Sequence, residues 1–555
     1  MHKAFSETLR RVLNLALAAG LFTPLQSCSG EAVENLGSKR AALAAKDERQ
    51  VPQEAETRLN RSDPARSKKG AENPHFYAEE IEKVEQTAAG KSEKGVRLGE
   101  DWAEFLGPRQ TGVSGETGLL DEWPAAGPNV LFKLKIGEGY SAPSVRGNKL
   151  LIFHRPDQGR FAGDEEVVEC LEADSGSPLW RFAYPTQYVD PYGYNGGPRC
   201  TPLLTDSHCY TFGAEGVLTC LDLKDGSKIW QRKTAEEFDI PRSFFGVGAS
   251  PILEGNLLIV PVGGHPESGV VAFDSLTGKT VWESVGFKTF PAPPVRIQRD
   301  RPPAKLSSYA TPLAATIHGK RHILCFMRPG LVSLDPEKGI VNFSFWFRAE
   351  LHDSVNAARP VVVDDQVFLS AAYETGAVLL KVHPDGKTYD VVWQDVDAMQ
   401  NHWSTSIHHH GYLYGFSGRH EPGSTFRCIE LATGKLRWAT ADVNAHDEPD
   451  AKAGLGATTP KYYGRGSAIL AEGKLIVMGE RGTLALVELN PHEFREVARV
   501  KYPEAGYPSW VAPVLSRQRL YLNVARELRS QAGRYVHEYH LLCLELSKPQ
   551  AAVGK

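Results

Sequence analysis

The chain has 555 residues, 41% of them apolar, with 52 Gly, 36 Pro and a formal net charge of −4. That apolar content over such a length buries a large core, and the Gly and Pro load suits a turn-rich all-β protein rather than a helical one. Acidic and basic residues are interspersed, so no basic field exists to attract a nucleic acid. No Gly-x-Ser-x-Gly, His-Glu-x-x-His or Walker-type motif anchors a hydrolase, zinc-protease or nucleotide-binding reading.

At the N-terminus, Lys3, Arg10 and Arg11 precede an apolar stretch from Val12 to Leu25 that is too short to span a bilayer and has the layout of an export signal. Leu25-Gln26-Ser27-Cys28 is similar to the box cut by lipoprotein signal peptidases, which predicts removal of the leader and lipidation of Cys28. Ordinary export without a lipid is the alternative, and Arg10-Arg11 leaves twin-arginine export open. From residue 29 to 100, Lys, Glu, Ala, Arg and Ser dominate and no alternating pattern appears. Such a segment buries too little apolar surface to offset its ordering entropy and reads as a tether, with a fraying helix over Ser38 to Gln50.

Residues 101–128 are expected to form an extension packed on the domain that follows. Residues 129–547 repeat one phrase: Gly176-x-x-x-Trp180 returns as Gly226-x-x-x-Trp230, Gly278-x-x-x-Trp282 and Gly434-x-x-x-Trp438, each after an alternating apolar run. Each copy therefore reads as a hairpin. A second marker, a small or hydroxyl residue followed by Pro, falls at Pro143, Pro202, Pro251, Pro312, Pro360 and Pro513, with Ser406 and Ala468 in the two gaps. The markers lie roughly 45–60 residues apart, the length of a four-stranded propeller blade with loop insertions. Because Pro cannot donate to a ladder it belongs on an edge strand, here the innermost strand facing a central channel. The prediction is an all-β, eight-bladed propeller of four-stranded antiparallel blades. Its last repeat lacks an outer strand and Val130–Ile136 is an orphan one, so the N-terminal strand is expected to close the ring, removing open edges. A closed ring needs no second copy and is expected to be monomeric, with a short tail at 548–555.

Cys170, Cys220, Cys428 and Cys543 take the same place in four repeats, on third strands separated by whole sheets, too far apart for disulfides. They read as small buried apolar residues. Cys200 and Cys209 fall on one hairpin, with Cys209 opposite Leu203 or Leu204. No Cys-x-x-Cys pair supports zinc or redox chemistry, and no metal ligand set is predicted.

Propellers bind at the channel mouth, where the loop before each inner strand delivers side chains. The position three before each marker holds Tyr140, Arg199, Gly248, Tyr309, Ala357, Trp403, Arg465 and Trp510, and neighbouring positions add Asn195, Asn356, Arg359, Asn401, His402 and Tyr507. The predicted binding set is Tyr140, Asn195, Arg199, Tyr309, Asn356, Arg359, His402, Trp403, Arg465 and Trp510. Aromatics stack and Arg forks pair carboxylates, so a planar anionic cofactor or a peptide suits such a mouth. The competing reading is that these residues seal the channel by bonding to one another. His408-His409-His410 reads as an exposed turn and Glu480-Arg481 as a surface ion pair at a hairpin tip.

The Gly-x-x-x-Trp phrase resembles the tryptophan-docking motif of the pyrroloquinoline quinone (PQQ) dehydrogenase repeat family, sharp at Trp180, Trp230, Trp282 and Trp438 and degraded at Phe345, Trp393 and the seventh blade. Trp102 to Pro108, with Trp123-Pro124, is similar to the opening of exported PQQ-like propellers. The resemblance implies eight blades and two functional branches. In the dehydrogenases PQQ sits in the mouth with calcium held by Glu and Asn, an Asp acts as base, and adjacent cysteines cap the ring. This chain has no adjacent cysteine pair and no Glu/Asn/Asp set that matches residue by residue. The other branch is non-catalytic, with the layout of the outer-membrane assembly propeller lipoprotein. The sequence-level expectation is an exported, lipid-anchored binding or scaffolding module of the periplasm and cell envelope, with a protein or polysaccharide partner. The alternatives are a PQQ- and calcium-dependent alcohol or sugar oxidoreductase and a polysaccharide-binding propeller.

Overall fold

A computed structural model describes residues 97–549 apart from 159–160, 242–244, 292–305, 352–353, 421–422, 441–462 and 530–534. The expectations for the leader, Cys28, the tether up to residue 96 and the end of the tail lie outside the described residues. Eight four-stranded antiparallel sheets form a ring of blades. The first blade shows the pattern: inner strand Ser144–Arg146, then Lys149–His154, Glu165–Glu172 and outer strand Pro178–Pro185, paired in chain order. The second and third strands are buried almost throughout because both faces lie against neighbouring blades, whereas the outer strands alternate between buried and exposed positions. In the eighth blade, Val514–Ser516, Arg519–Arg529 and Tyr535–Glu545 are joined by Val130–Ile136 as the outer strand, with Phe132 opposite Cys543.

The repeated phrase has one physical role. Trp180 sits opposite Cys170 on the third strand and donates its indole N–H to the Leu223 carbonyl of the next blade at 3.2 Å. Trp230, Trp282, Trp393 and Trp438 do the same to Ser275, Pro336, Leu431 and Asn490 at 2.8–3.0 Å. Trp180, Trp230, Trp282 and Trp393 lie over Gly226, Gly278, Gly339 and Gly434, the turn glycines of the following repeats, and a Cβ on Gly278 would stand 2.7 Å from the Trp230 ring, whereas Trp438 meets a turn without glycine and packs on Phe494. Gly278 is also in the left-handed region, at φ +68°, so a side chain is excluded twice. Over the first blade's Gly176 the occupant is Phe132, from the closing strand. Trp393 docks fully although its spacing from the preceding glycine is stretched. The fourth blade's residue is Phe343, opposite Ser333 and four residues after Gly339, and not Phe345, which pairs with Leu331. In the seventh blade Ala498 holds the place, opposite Leu486.

The second marker latches inner strands together. The N–H of Thr201 donates to Ser250 Oγ (2.9 Å), that of Ser250 to Thr311 Oγ1 (3.1 Å) and that of Arg359 to Thr405 Oγ1 (3.0 Å). The hydroxyl thus satisfies an N–H that an innermost edge strand would leave unpaired. Cys170, Cys200, Cys209, Cys220, Cys325, Cys428 and Cys543 are buried free thiols, and Cys209 pairs across the ladder with Leu204.

Residues from 97 onward lie along one face of the ring, against the far ends of the inner strands. Trp102 bridges to Val145, the Ala103 carbonyl accepts from Leu204, Gly112 and Ser114 bond both sides of Leu470, and Leu120 donates to Leu546. Trp102 is 2% exposed and lies against Gly107.

If docking carries inter-blade cohesion, Trp230→Ala costs about 3–5 kcal/mol of stability, while Ile229→Ala, at an exposed position one residue away, stays within about 0.5 kcal/mol. Denaturant midpoints for the two variants check this; comparable losses would remove docking as the cause.

Candidate functional site: an aromatic cavity in the channel

Each inner strand runs from the mouth of the ring to the face covered by residues 102–120, so the residue three before each marker enters at the mouth. All eight such residues, from Tyr140 round to Trp510, line one cavity of about 710 Å3. Its lower end meets Phe105 and Leu106 of the N-terminal segment, and the marker hydroxyls Thr201, Ser250 and Thr311 lie along its walls. The channel is therefore not sealed by its own side chains.

The walls are a run of aromatic contacts. Trp510 lies 5.1 Å from both Tyr140 and Trp403 between ring centres, Tyr194 lies 6.0 Å from both Trp510 and Phe245, and Phe245 lies 5.7 Å from Tyr309. The Arg465 guanidinium sits 4.7 Å from the Trp403 ring centre and 5.0 Å from that of Trp510. Such contacts stabilise a cation held over an aromatic face.

The two predicted arginines that line the cavity carry their own counter-charge. Arg465 meets Glu480 at 2.7 Å, and the same carboxylate accepts the Arg465 backbone N–H (2.8 Å) and the Trp510 indole N–H (3.0 Å). Glu480 is wholly buried, so it is a partner inside the site rather than half of a surface ion pair. Arg199 meets the buried Asp190 at 2.8 Å and donates to the carbonyls of Gly197 and Asn195. A buried charge is tolerated when paired and hydrogen-bonded in this way.

His402 lines the cavity with Nε2 3.0 Å from the Tyr373 hydroxyl. Burial, with Arg465 and Arg419 nearby, pulls its pKa down to about 3, so the ring is neutral at neutral pH. Three predicted residues do not line the cavity. Asn195 bonds the Tyr539 hydroxyl and the Gly197 N–H, Asn356 donates to the carbonyls of Met327, Arg328 and Phe347, and Arg359 reaches below the cavity to the carbonyls of Phe105, Gln110 and Pro312. These side chains hold loops in place, as Asn401 does through Phe416 and Ser406. Burial lowers the Arg359 guanidinium to about 10 against the opposing pull of Glu104.

Lining residues the motif search passed over include Tyr194, Phe245, Tyr373, Arg419, Arg481 and Glu527. Several follow the second strand of a blade, where the hairpin to the third strand returns to the mouth. Reading that position in every repeat would have found Tyr373, Arg419 and Arg481. The histidine run is not an exposed turn: His408 and His409 lie on the strand Ile407–His409, and only His410 turns the chain.

Calcium takes six to eight oxygen ligands. Among the described residues no three His, Cys, Asp or Glu side chains converge, Glu527 is the one carboxylate lining the cavity, and Glu480 and Asp190 are engaged by arginines. This lining does not fit a calcium–quinone pair, though its aromatic faces suit a flat organic ring.

Residues 164–440 match the family model described as outer membrane protein assembly factor BamB. The chain is an eight-bladed propeller with PQQ-like repeats over that stretch. Among solved structures, it is similar to a europium-containing methanol dehydrogenase, at 10% identity and a TM-score of 0.55, covering 84% of this chain and all of that one. It is also similar to the quinohemoprotein alcohol dehydrogenase of Comamonas testosteroni, at 12% identity and a TM-score of 0.52, covering 87% and 84%. BamB from Moraxella catarrhalis matches at 14% identity and a TM-score of 0.46, covering 76% and 99%. At these identities the likeness is one of fold. No curated protein matches the sequence at a significant level.

Glu480→Ala would remove the buried carboxylate that Arg465 and Trp510 share, and a loss of about 3–5 kcal/mol is expected; Glu480→Ala with Arg465→Met should lose less than Glu480→Ala alone. Equal losses in a denaturation series would show that the pair is not coupled. His402 has a depressed folded pKa, so the unfolded chain binds its proton first on acidification and stability falls as pH drops from 6.5 toward 3. His402→Gln should flatten part of that fall, and melting curves across the window decide it.

Proposed function

We propose that the protein is an exported binding propeller of the cell envelope, held to a membrane by a lipid on Cys28 through the tether that follows it and ends before residue 97, with the aromatic cavity as its ligand site. The observation that carries this reading is the cavity itself: a recess of about 710 Å3, walled by aromatic faces and by Arg199 and Arg465, each paired with an internal carboxylate, and stopped below by Phe105 and Leu106. Its size falls within the range of small-molecule sites, roughly 300–1,000 Å3. The layout of the N-terminus and the match to the BamB family model support an envelope location and an envelope partner. No described helix is long and apolar enough to cross a membrane; in this reading a lipid on Cys28 supplies the attachment.

The second reading is a PQQ-dependent oxidoreductase, favoured by the fold shared with the two dehydrogenases. The donor set of the cavity stands against it, and no reaction step is derived through the quinone. Titrating the purified full chain with PQQ, with and without calcium, separates the readings. No saturable heat and no thermal stabilisation are expected. Binding at micromolar affinity or tighter, about 8 kcal/mol, that is lost in Arg199→Ala or Trp403→Ala would make the protein a quinoprotein instead. Independently, Cys28→Ala should move the protein from the membrane fraction to the soluble periplasmic fraction; an unchanged distribution would count against the lipid anchor.

A further inference from the structure

We propose that the cavity receives the end of a neutral carbohydrate chain; this rests on the reading of the cavity as a binding site and assigns its ligand class. Three observations converge.

The first is a set of flat apolar faces reaching from the rim inward. Tyr192 and Tyr194 are each 48% exposed at the mouth, and Tyr194 touches Phe245 on one side and Trp510 on the other. The C–H faces of a pyranose ring are flat and apolar, and stacking on such aromatics buries them without leaving the ring hydroxyls dry.

The second is the polarity of the interior. Ser250 Oγ and Thr311 Oγ1 each already accept a backbone N–H from the preceding blade. A hydroxyl has one proton and two lone pairs, so each retains an O–H to donate toward the cavity it lines. The walls thus carry hydroxyl donors beside the aromatic faces. Sugar hydroxyls and ring oxygens accept, and a sugar hydroxyl can also donate to Glu527, which lines the cavity. A hydrocarbon satisfies none of these groups.

The third is charge and shape. Arg199 and Arg465, which would otherwise call for an anion, are each paired within the protein, and the Arg419 guanidinium, which also lines the cavity, lies over the Tyr373 ring. Phe105 and Leu106 close the lower end. A polymer cannot thread a recess stopped at one end, so the ligand enters by a terminus.

The test is titration of the full chain, by calorimetry and tryptophan fluorescence, with neutral oligosaccharides (maltose, cellobiose and N-acetylglucosamine series), oligogalacturonides, and PQQ with calcium. The expected result is saturable binding of at least one neutral series, with Trp403 and Trp510 fluorescence altered. Tyr194→Ala, a half-exposed site that should not disturb folding, should weaken it at least fivefold; Val281→Ala, exposed on an outer strand, should leave it unchanged. The inference is overturned if no neutral series binds at millimolar concentration, if only oligogalacturonides bind, or if Tyr194→Ala binds like the parent. A series capped at its non-reducing end and another reduced at its other end identify which terminus enters, and equal binding of both would overturn entry by a terminus. Saturation by PQQ with calcium would instead overturn the binding-propeller reading itself, so the two failures are distinguishable.

Discussion

Everything in this molecule depends on how one blade grips the next. An outer-strand indole lies over a glycine turn of the following repeat and donates its N–H to a carbonyl beside it, as Trp230 does over Gly278 and to Ser275. Where a glycine turns the chain it must lack a Cβ for the ring to lie over it, and small residues recur on the third strand opposite the indole, as Cys170, Cys220, Ala272 and Cys428 do, although Trp393 docks opposite Leu379. The chain tolerates departures when another large apolar group reaches the same turn. Phe132, arriving from the other end of the sequence, covers Gly176 and so carries the docking pattern across the joint between the first and last blades.

That grip fixes the radius at which the inner strands stand, and the radius leaves a channel with edge strands facing it. Two devices manage those edges. The marker hydroxyls accept N–H groups from the preceding blade, and Pro removes the donor altogether where it occurs. The N-terminal segment then covers the far ends of the strands, with Arg359 clamping Phe105 and Gln110 from below. What remains is a recess open on the side where the loops carry Tyr, Trp and Arg.

Arginine in so enclosed a place would be costly alone. Glu480 and Asp190 offset that cost, and by holding Arg465 over two indoles Glu480 also sets the orientation of the aromatic wall. The recess is therefore pre-organised by pairs internal to the protein, which leaves its hydrogen-bond donors and aromatic faces for a ligand. A shared fold with dehydrogenases does not by itself bring their chemistry, because function resides in the side chains at the mouth.

The repeat period, the four sharp docking phrases and the Pro markers determine the eight blades, the strand facing the channel and the eight positions that enter the cavity, because docking and edge placement are local and each leaves a residue type at a set spacing. Tertiary structure alone decided which neighbours of those positions turn inward. Asn195 donates to the Tyr539 hydroxyl, and Asn356 and Arg359 satisfy backbone carbonyls of other segments, uses that one segment's sequence does not reveal. Glu480 looked like a surface residue because a hairpin tip is ordinarily wet; here the hairpin folds back against Arg465 and Trp510 and the tip is dry. Phe343 was hidden by its substitution for Trp and appears only through the ladder that sets it opposite Ser333. Strand periodicity is written within one repeat, whereas the cavity is made of single residues from many repeats, and their convergence is a property of the closed ring.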